Sequence, residues 1–356
     1  MNRSLKRTLI GIPLLTLTTI ALLLVLNTTG RPAMPATGYH TDTLTLPHRA
    51  EPVTVHIWYP TTATGPATTI GENALFWGFP AYPDGSPKPG PHPVVLMSHS
   101  SGGKAFRHLW LATRLAAAGF IVIAPDHPGS TSGDSDPART LQLWDRPADL
   151  SALTQWISTS PPLGLQPDLD HIGAFGFSMG GFSVMASAGA QVSLDQFTDY
   201  CTTYAGQIDC GWYQSAGIDL AALDRAMFEQ ANHDPRISAV VALDPALARA
   251  TTLTSLARID TPVLVINMGS AQAMTSQMDA TAMASVIPEA RHMNINGAVH
   301  FSAMDNCRLL GRIIIGLAGE DSICADTAGR SRIELQAELT PLIVDFLREK
   351  LGIAGP

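Results

Sequence analysis

Six residues, Gly176-Phe177-Ser178-Met179-Gly180-Gly181, limit the folds open to this chain more than any other segment. They follow the apolar run His171–Phe175 directly and precede the small, helix-compatible stretch Val184–Ala190. Gly-x-Ser-x-Gly between a strand and a helix encodes a sharp turn that lifts a serine hydroxyl above a sheet edge. The glycines on either side leave room for the crowded backbone. Other short, continuous apolar runs are Val94–Met97, Phe120–Ala124, Ile237–Leu243 and Pro262–Ile266. Runs of this kind read as strands covered on both faces, as in a parallel sheet. Thr41–Leu46 and Val53–Tyr59 alternate instead, as half-buried strands do, and a Pro/Gly-rich excursion from Gly78 to Pro93 follows. Helical stretches lie between the runs. Phe106–Ala118 is stopped by Gly119, Leu141–Ile157 repeats an apolar face, and Arg332–Leu351 closes the chain. Strands alternating with helices predict a doubly wound, mostly parallel α/β domain.

The first 30 residues stand apart. Arg3, Lys6 and Arg7 precede an uncharged run from Thr8 to Gly30, rich in Leu, Ile and Thr. A positive end followed by an apolar helix is the layout of an export signal. The run also reaches the length of about 20 residues that spans a bilayer, so a cleaved signal and an uncleaved anchor both stand. Residues 31–38 read as a Pro/Ala/Thr linker and 39–356 as the folded domain. Without the three early cations, the 22 Lys and Arg become 19 against 30 Asp and Glu, leaving the body at −11. An acidic body without a basic stripe argues against a nucleic-acid surface. The cysteines, Cys201, Cys210, Cys307 and Cys324, number four and all follow the apolar run. In an oxidising compartment they predict two disulfides, with Cys201–Cys210 and Cys307–Cys324 favoured because each closes a local loop. No CxxC or HxxxH spacing suggests a metal site, and no cofactor is expected.

A serine hydroxyl is a weak nucleophile near neutral pH and needs a base, which in turn needs an orienting group. His300 is the expected base, because it follows Asn296-Gly297-Ala298-Val299 after the strand candidate His292–Ile295. His292 itself would pack or face solvent. Two acids compete. Asp244 ends the run Ala239–Leu243, where catalytic groups gather at a strand's carboxyl end, although it could also cap a helix. Asp279 lies about ten residues beyond the next strand in a helix-like stretch; Asp244 is favoured. An oxyanion needs preorganised N–H donors. Met179, the residue after the serine, should supply one, and the loop Ser98-His99-Ser100-Ser101-Gly102-Gly103 the other, with Ser101 ahead of Ser100. His99 should brace that loop. The aromatic-rich segment from Gln191 to Arg236 is too long for an ordinary connection, and reads as a cap over the site or an inert excursion.

Several segments together resemble the platelet-activating-factor acetylhydrolase-like and dienelactone-hydrolase-like branch of the α/β hydrolases. Met97–Gly103 with Phe106-Arg107 is similar to the family's oxyanion loop, and Gly176–Gly181 to its nucleophile elbow. Ala242-Leu243-Asp244-Pro245 is similar to its acid segment, Pro262–Asn267 to the next strand, and Gly297–Phe301 to the histidine loop. The resemblance covers roughly residues 90 to 305 and implies an α/β-hydrolase fold with Asp244 as the acid. Ser100 stands where the family often has Gly. Asp126-His127-Pro128-Gly129 resembles the loop after the fourth strand and should lie at the cleft rim without a catalytic part. The expected function is an exported serine hydrolase acting on carboxylic esters of short to medium acyl chain, including lipid or polyester fragments. Its site would be Ser178, Asp244 and His300 with Met179 and Ser101. An amidase or peptidase would use the same residues, and a non-catalytic binding domain usually loses one of them. A haloalkane dehalogenase would need a carboxylate where Ser178 stands.

Overall fold

The computed structural model describes residues 31–205, 207–270, 278–318, 323–326 and 329–353; the expected export segment lies outside them. Ten strands form one sheet: β1 (Thr37–Leu44), β2 (Val53–Tyr59), β3 (Thr68–Ile70), β4 (Phe79–Pro83), β5 (His92–Ser98), β6 (Ile121–Pro125), β9 (Pro167–Phe177), β10 (Ile237–Leu243), β11 (Val263–Met268) and β12 (Ala290–Ile295). Between β6 and β9, the two-residue strands β7 (Ser130–Thr131) and β8 (Asp134–Ser135) make a separate small hairpin. The sheet order is β12-β11-β10-β9-β5-β6-β2-β1-β4-β3. From β12 to β6 every neighbour is parallel, whereas β2 runs antiparallel to both β6 and β1.

The apolar runs are buried on both faces because helices cover both. Val95, Met97, Phe175 and Phe177 face the helix Leu109–Ala117 and the closing helix Arg332–Lys350. Leu335, Leu339, Ile343 and Leu347 carry that closing contact at four-residue spacing. Val94, Leu96, Ile172 and Ala174 face the helices Asp145–Thr159 and Met179–Ser187.

The structure departs from the sequence reading in three places. The excursion after Gly78 contains β4, whose Pro80 and Pro83 hide a strand that pairs near the sheet's edge, where proline is tolerated. The expected helix Leu141–Ile157 is a short helix Pro137–Thr140 and then Asp145–Thr159. Pro147 in the first turn of the second helix prevents it from extending backwards. β2 is buried on both faces rather than one, because Trp58 packs into the core on one side of the sheet and Val53, Val55, Ile57 and Tyr59 into the core on the other.

Both favoured disulfides are present, Cys201–Cys210 and Cys307–Cys324, and suit an extracellular or periplasmic setting. The first joins the helices Leu194–Thr203 and Ile208–Ser215 within the 191–236 segment. Phe197, Tyr200, Tyr213 and Phe228 of that segment share a core with Leu141, Leu143, Met179 and Phe182. No helix among the described residues is long and apolar enough to cross a membrane.

Candidate active site

Ser178 sits between β9 and the helix Met179–Ser187 with φ 57° and ψ −119°, a left-handed conformation costly for a residue with a side chain. The surrounding framework holds it there. Its N–H donates to Leu243 O, and its carbonyl accepts from Phe182 and Ala246 N–H. A Cβ on Gly176 would stand 1.9 Å from Gly180 O, and one on Gly180 only 2.0 Å from Ser98 O. Those two motif glycines are therefore required by close approach, the second against the end of β5.

Asp244 follows β10, also with a positive φ of 47°, and is 1 % exposed. Its carboxylate is fully engaged. Oδ1 accepts from Asn267 Nδ2 at 3.1 Å and Met268 N at 2.9 Å, and Oδ2 meets His300 Nδ1 at 2.6 Å. This carboxylate caps no helix. It leans across the sheet from the end of β10 to the end of β11, which explains why β11 carries no acid of its own. Asp279 plays a different part: it accepts from Thr281 N–H ahead of the helix Thr281–Val286 and lies 3.9 Å from Arg249.

His300 opens a single turn after β12 and keeps a side chain that is 22 % exposed. Its ring lies over Phe177, the residue before Ser178, with centroids 4.5 Å apart. With Nδ1–H donated to Asp244, Nε2 carries the free lone pair that a base needs. His292 is half-buried. Its Nε2 meets Asn267 Oδ1 at 3.0 Å, so it steadies the amide that steadies Asp244.

Met179 opens the helix Met179–Ser187, so its N–H belongs to the first-turn donors with no partner inside the helix. Ser101 is half-buried in a turn closed by Gly103 N–H on Ser100 O, with Gly102 at φ +66°. Three buried groups hold this loop. Arg146 donates to His99 O at 2.6 Å and Ser130 Oγ at 2.8 Å. His99 meets Ser100 O through Nδ1 at 2.7 Å and accepts from His127 N–H at Nε2. Ser98 Oγ meets His127 Nε2 at 2.8 Å, and His127 Nδ1 meets Asp149 Oδ2 at 2.7 Å.

His127 therefore lies beneath the loop, fully buried, and not at a cleft rim. The sequence hid this because Arg146 and Asp149 are polar residues, and an apolar pattern does not show that they turn inwards. Burial, helped by the Arg146 guanidinium, pushes the His127 imidazole down to about 4. Burial alone would raise the Asp149 carboxyl, but bonds from His127, His48 and Arg49 hold it far below the usual carboxylate range. Arg49 grips Asp149 through Nε at 2.8 Å and Nη2 at 2.5 Å.

A mostly parallel sheet with a strained serine after β9, an acid after β10 and a histidine after β12 has the layout of the α/β-hydrolase fold. Residues 79–202 match the family described as Dienelactone hydrolase family. Among solved structures, a ferulic acid esterase from Streptomyces cinnamoneus is similar at 18 % identity and TM-score 0.62, with 92 % of this chain and 94 % of that one covered. A fungal esterase of Rhizomucor miehei is similar at 12 % identity and TM-score 0.49, over 93 % of this chain and 88 % of the other. No curated protein matches the sequence.

Proposed function

We propose that this chain is an exported serine esterase with Ser178 as nucleophile, His300 as base and Asp244 as the group that orients it. The observation that carries the reading is the His300 Nδ1 to Asp244 Oδ2 contact of 2.6 Å beside the strained Ser178 elbow. Ser178 Oγ attacks the ester carbonyl as its proton passes to His300 Nε2, and Asp244 stabilises the imidazolium. The N–H groups of Met179 and Ser101 receive the oxyanion, an effect worth about 3–4 kcal/mol per donor. His300 then protonates the leaving alcohol. Water, deprotonated by the same nitrogen, attacks the acyl-enzyme and releases the carboxylic acid. No cofactor enters the scheme.

Substrates are carboxylic esters with short to medium acyl chains, from small molecules, lipids or polyesters, and the 191–236 segment acts as a cap that limits acyl length. Its aromatic residues pack against Met179, so the cap and the oxyanion donor share one wall. The esterase named for the Streptomyces cinnamoneus structure agrees with this chemistry.

Initial rates of the full chain on p-nitrophenyl esters from acetate to palmitate test the proposal. Ser178→Ala should cut kcat by a factor on the order of 10⁶. Wild-type rates equal to the variant's on every chain length would overturn it, and faster turnover of anilides than esters would reassign the chain as an amidase.

A further inference from the structure

We propose that the helix Leu309–Ala318 lies in the surface of the lipid bilayer that receives residues 8–30, as a second and separate membrane contact. Leu309, Leu310, Ile313, Ile314 and Leu317 of this helix are all exposed, Leu317 at 83 %. Only Gly311 and Ile315 face inwards, onto a small cluster with Phe76 and the Cys307–Cys324 disulfide. A Cβ on Gly311 would stand 2.3 Å from Leu75 O, so the helix is seated closely and its orientation is set. Contiguous exposed aliphatics on one helix mark a docking face. At about 15 Å the helix is too short to cross a bilayer and suited to lie in its interface.

The path of the chain chooses the occupant. Arg31, the first described residue, donates to Glu72 and lies over the Trp77 ring. Arg308, which immediately precedes the helix, meets the same carboxylate at 3.3 Å and lies over the same ring. The uncharged run from Thr8 to Gly30 therefore leaves the folded body beside one end of the exposed helix. Residues 33 and 34 are docked as well, since Arg114 donates to Ala33 O at 3.4 Å and to Met34 Sδ at 3.3 Å. That holds the attachment point close to the body rather than on a free tether.

The run itself could not be satisfied by folding back onto this helix. It holds no charged residue from Thr8 to Gly30, and so long an apolar segment must be covered on all sides. A ten-residue helix would cover one side of less than half of it. A bilayer covers both. Arg308 immediately precedes this helix and Arg312 lies on it, paired with Glu72 and Asp326 respectively. This inference does not depend on the esterase reading.

Tryptophan at the exposed face reports the contact directly. The full chain carrying Leu317→Trp, and separately Leu310→Trp, is reconstituted in phosphatidylcholine/phosphatidylglycerol vesicles with plain or brominated acyl chains. The added emission, taken as the difference from wild type, should lose most of its intensity in the brominated vesicles for both variants. Leu253→Trp, at an exposed leucine in a different helix, should keep its emission. Equal emission of the 310 and 317 variants in both vesicle types overturns the proposal. Accessibility to aqueous iodide would then show whether the face meets water or is covered by protein, either of which excludes lipid. Unchanged thermal midpoints confirm that the variants are folded.

Discussion

Among the described residues the molecule holds two Ser–His–Asp sets, both with contacts below 3 Å between histidine and carboxylate; the outer acid follows β10, whereas the inner one, Asp149, comes from the helix Asp145–Thr159. Ser98, His127 and Asp149 lie entirely inside. Ser178, His300 and Asp244 lie at the surface end of the sheet, where the serine is 9 % exposed and the histidine more so. In the inner set both imidazole nitrogens are engaged, and two arginines balance the charge. Ser98 ends an ordinary strand, and its carbonyl presses against Gly180. In the outer set the serine is strained and its histidine stays partly open. Residue type and spacing are therefore poor guides to chemistry by themselves. On the proposed reading, backbone strain and access separate the nucleophile from a brace.

The largest effect that could break this distinction is at the acids. Asp244→Asn should leave the fold intact and lower kcat by about 10⁴, because the amide favours the wrong imidazole tautomer. Asp149→Asn should do the reverse. It leaves the buried Arg49 with only one of its two carboxylates, Asp145 at 2.9 Å, and weakens the acceptor that holds His127, at a cost of about 3–5 kcal/mol, read as a lower urea midpoint. Rates per folded molecule should change far less than at Asp244. Equal kinetic losses at the two positions, with stability unchanged, would mean that the inner set takes part in the chemistry.

A smaller effect sharpens the view of how the outer acid is held. Asn267 binds Asp244 Oδ1, Met278 O and His292 at once. Asn267→Leu removes a donor from a buried carboxylate and frees it to shift. Misplacement on the scale of 1 Å is worth on the order of 10² in rate. The loss should fall on kcat more than on KM. A kcat within twofold of wild type would show that Met268 N–H and His300 suffice to fix Asp244.

The parallel core was legible in the sequence because continuous apolar runs bounded by turn residues leave few alternatives. Ile237–Leu243 coincides with β10, and the elbow falls between β9 and its helix. Asp244 and His300 were chosen by order along the chain, and the structure brings them into contact. The buried brace was not legible. His127, Arg146 and Asp149 are polar residues whose partnership depends on which helix face turns inwards, and that helix starts at Asp145 rather than Leu141. β4 escaped notice because its prolines read as turn signals. Polar groups that satisfy one another inside a protein leave no periodic trace.

The smallest effect concerns acid stability and tests the sealed character of the inner set. His127 is pushed down to about 4 when folded, against about 6.5 in an unfolded chain. Between those values the unfolded chain binds a proton that the folded one refuses, so stability falls as pH falls through this window. His108, which burial pushes down to about 3, acts with the same sign. Asp305 opposes them. Burial raises it to about 7, so its contribution is full below about 4 and disappears as pH rises through 7. His99, which burial also holds well below its ordinary value, falls on the same side as His127 and His108, so the histidines outweigh the one carboxyl and stability falls on acidification between about pH 6 and 4.5. Urea midpoints at several pH values measure the slope, and His127→Gln should flatten it by removing one titrating group. An unchanged slope in that variant would mean that His127 accepts its proton in the folded state. The inner set would then be open to solvent, and burial would no longer separate it from the outer one.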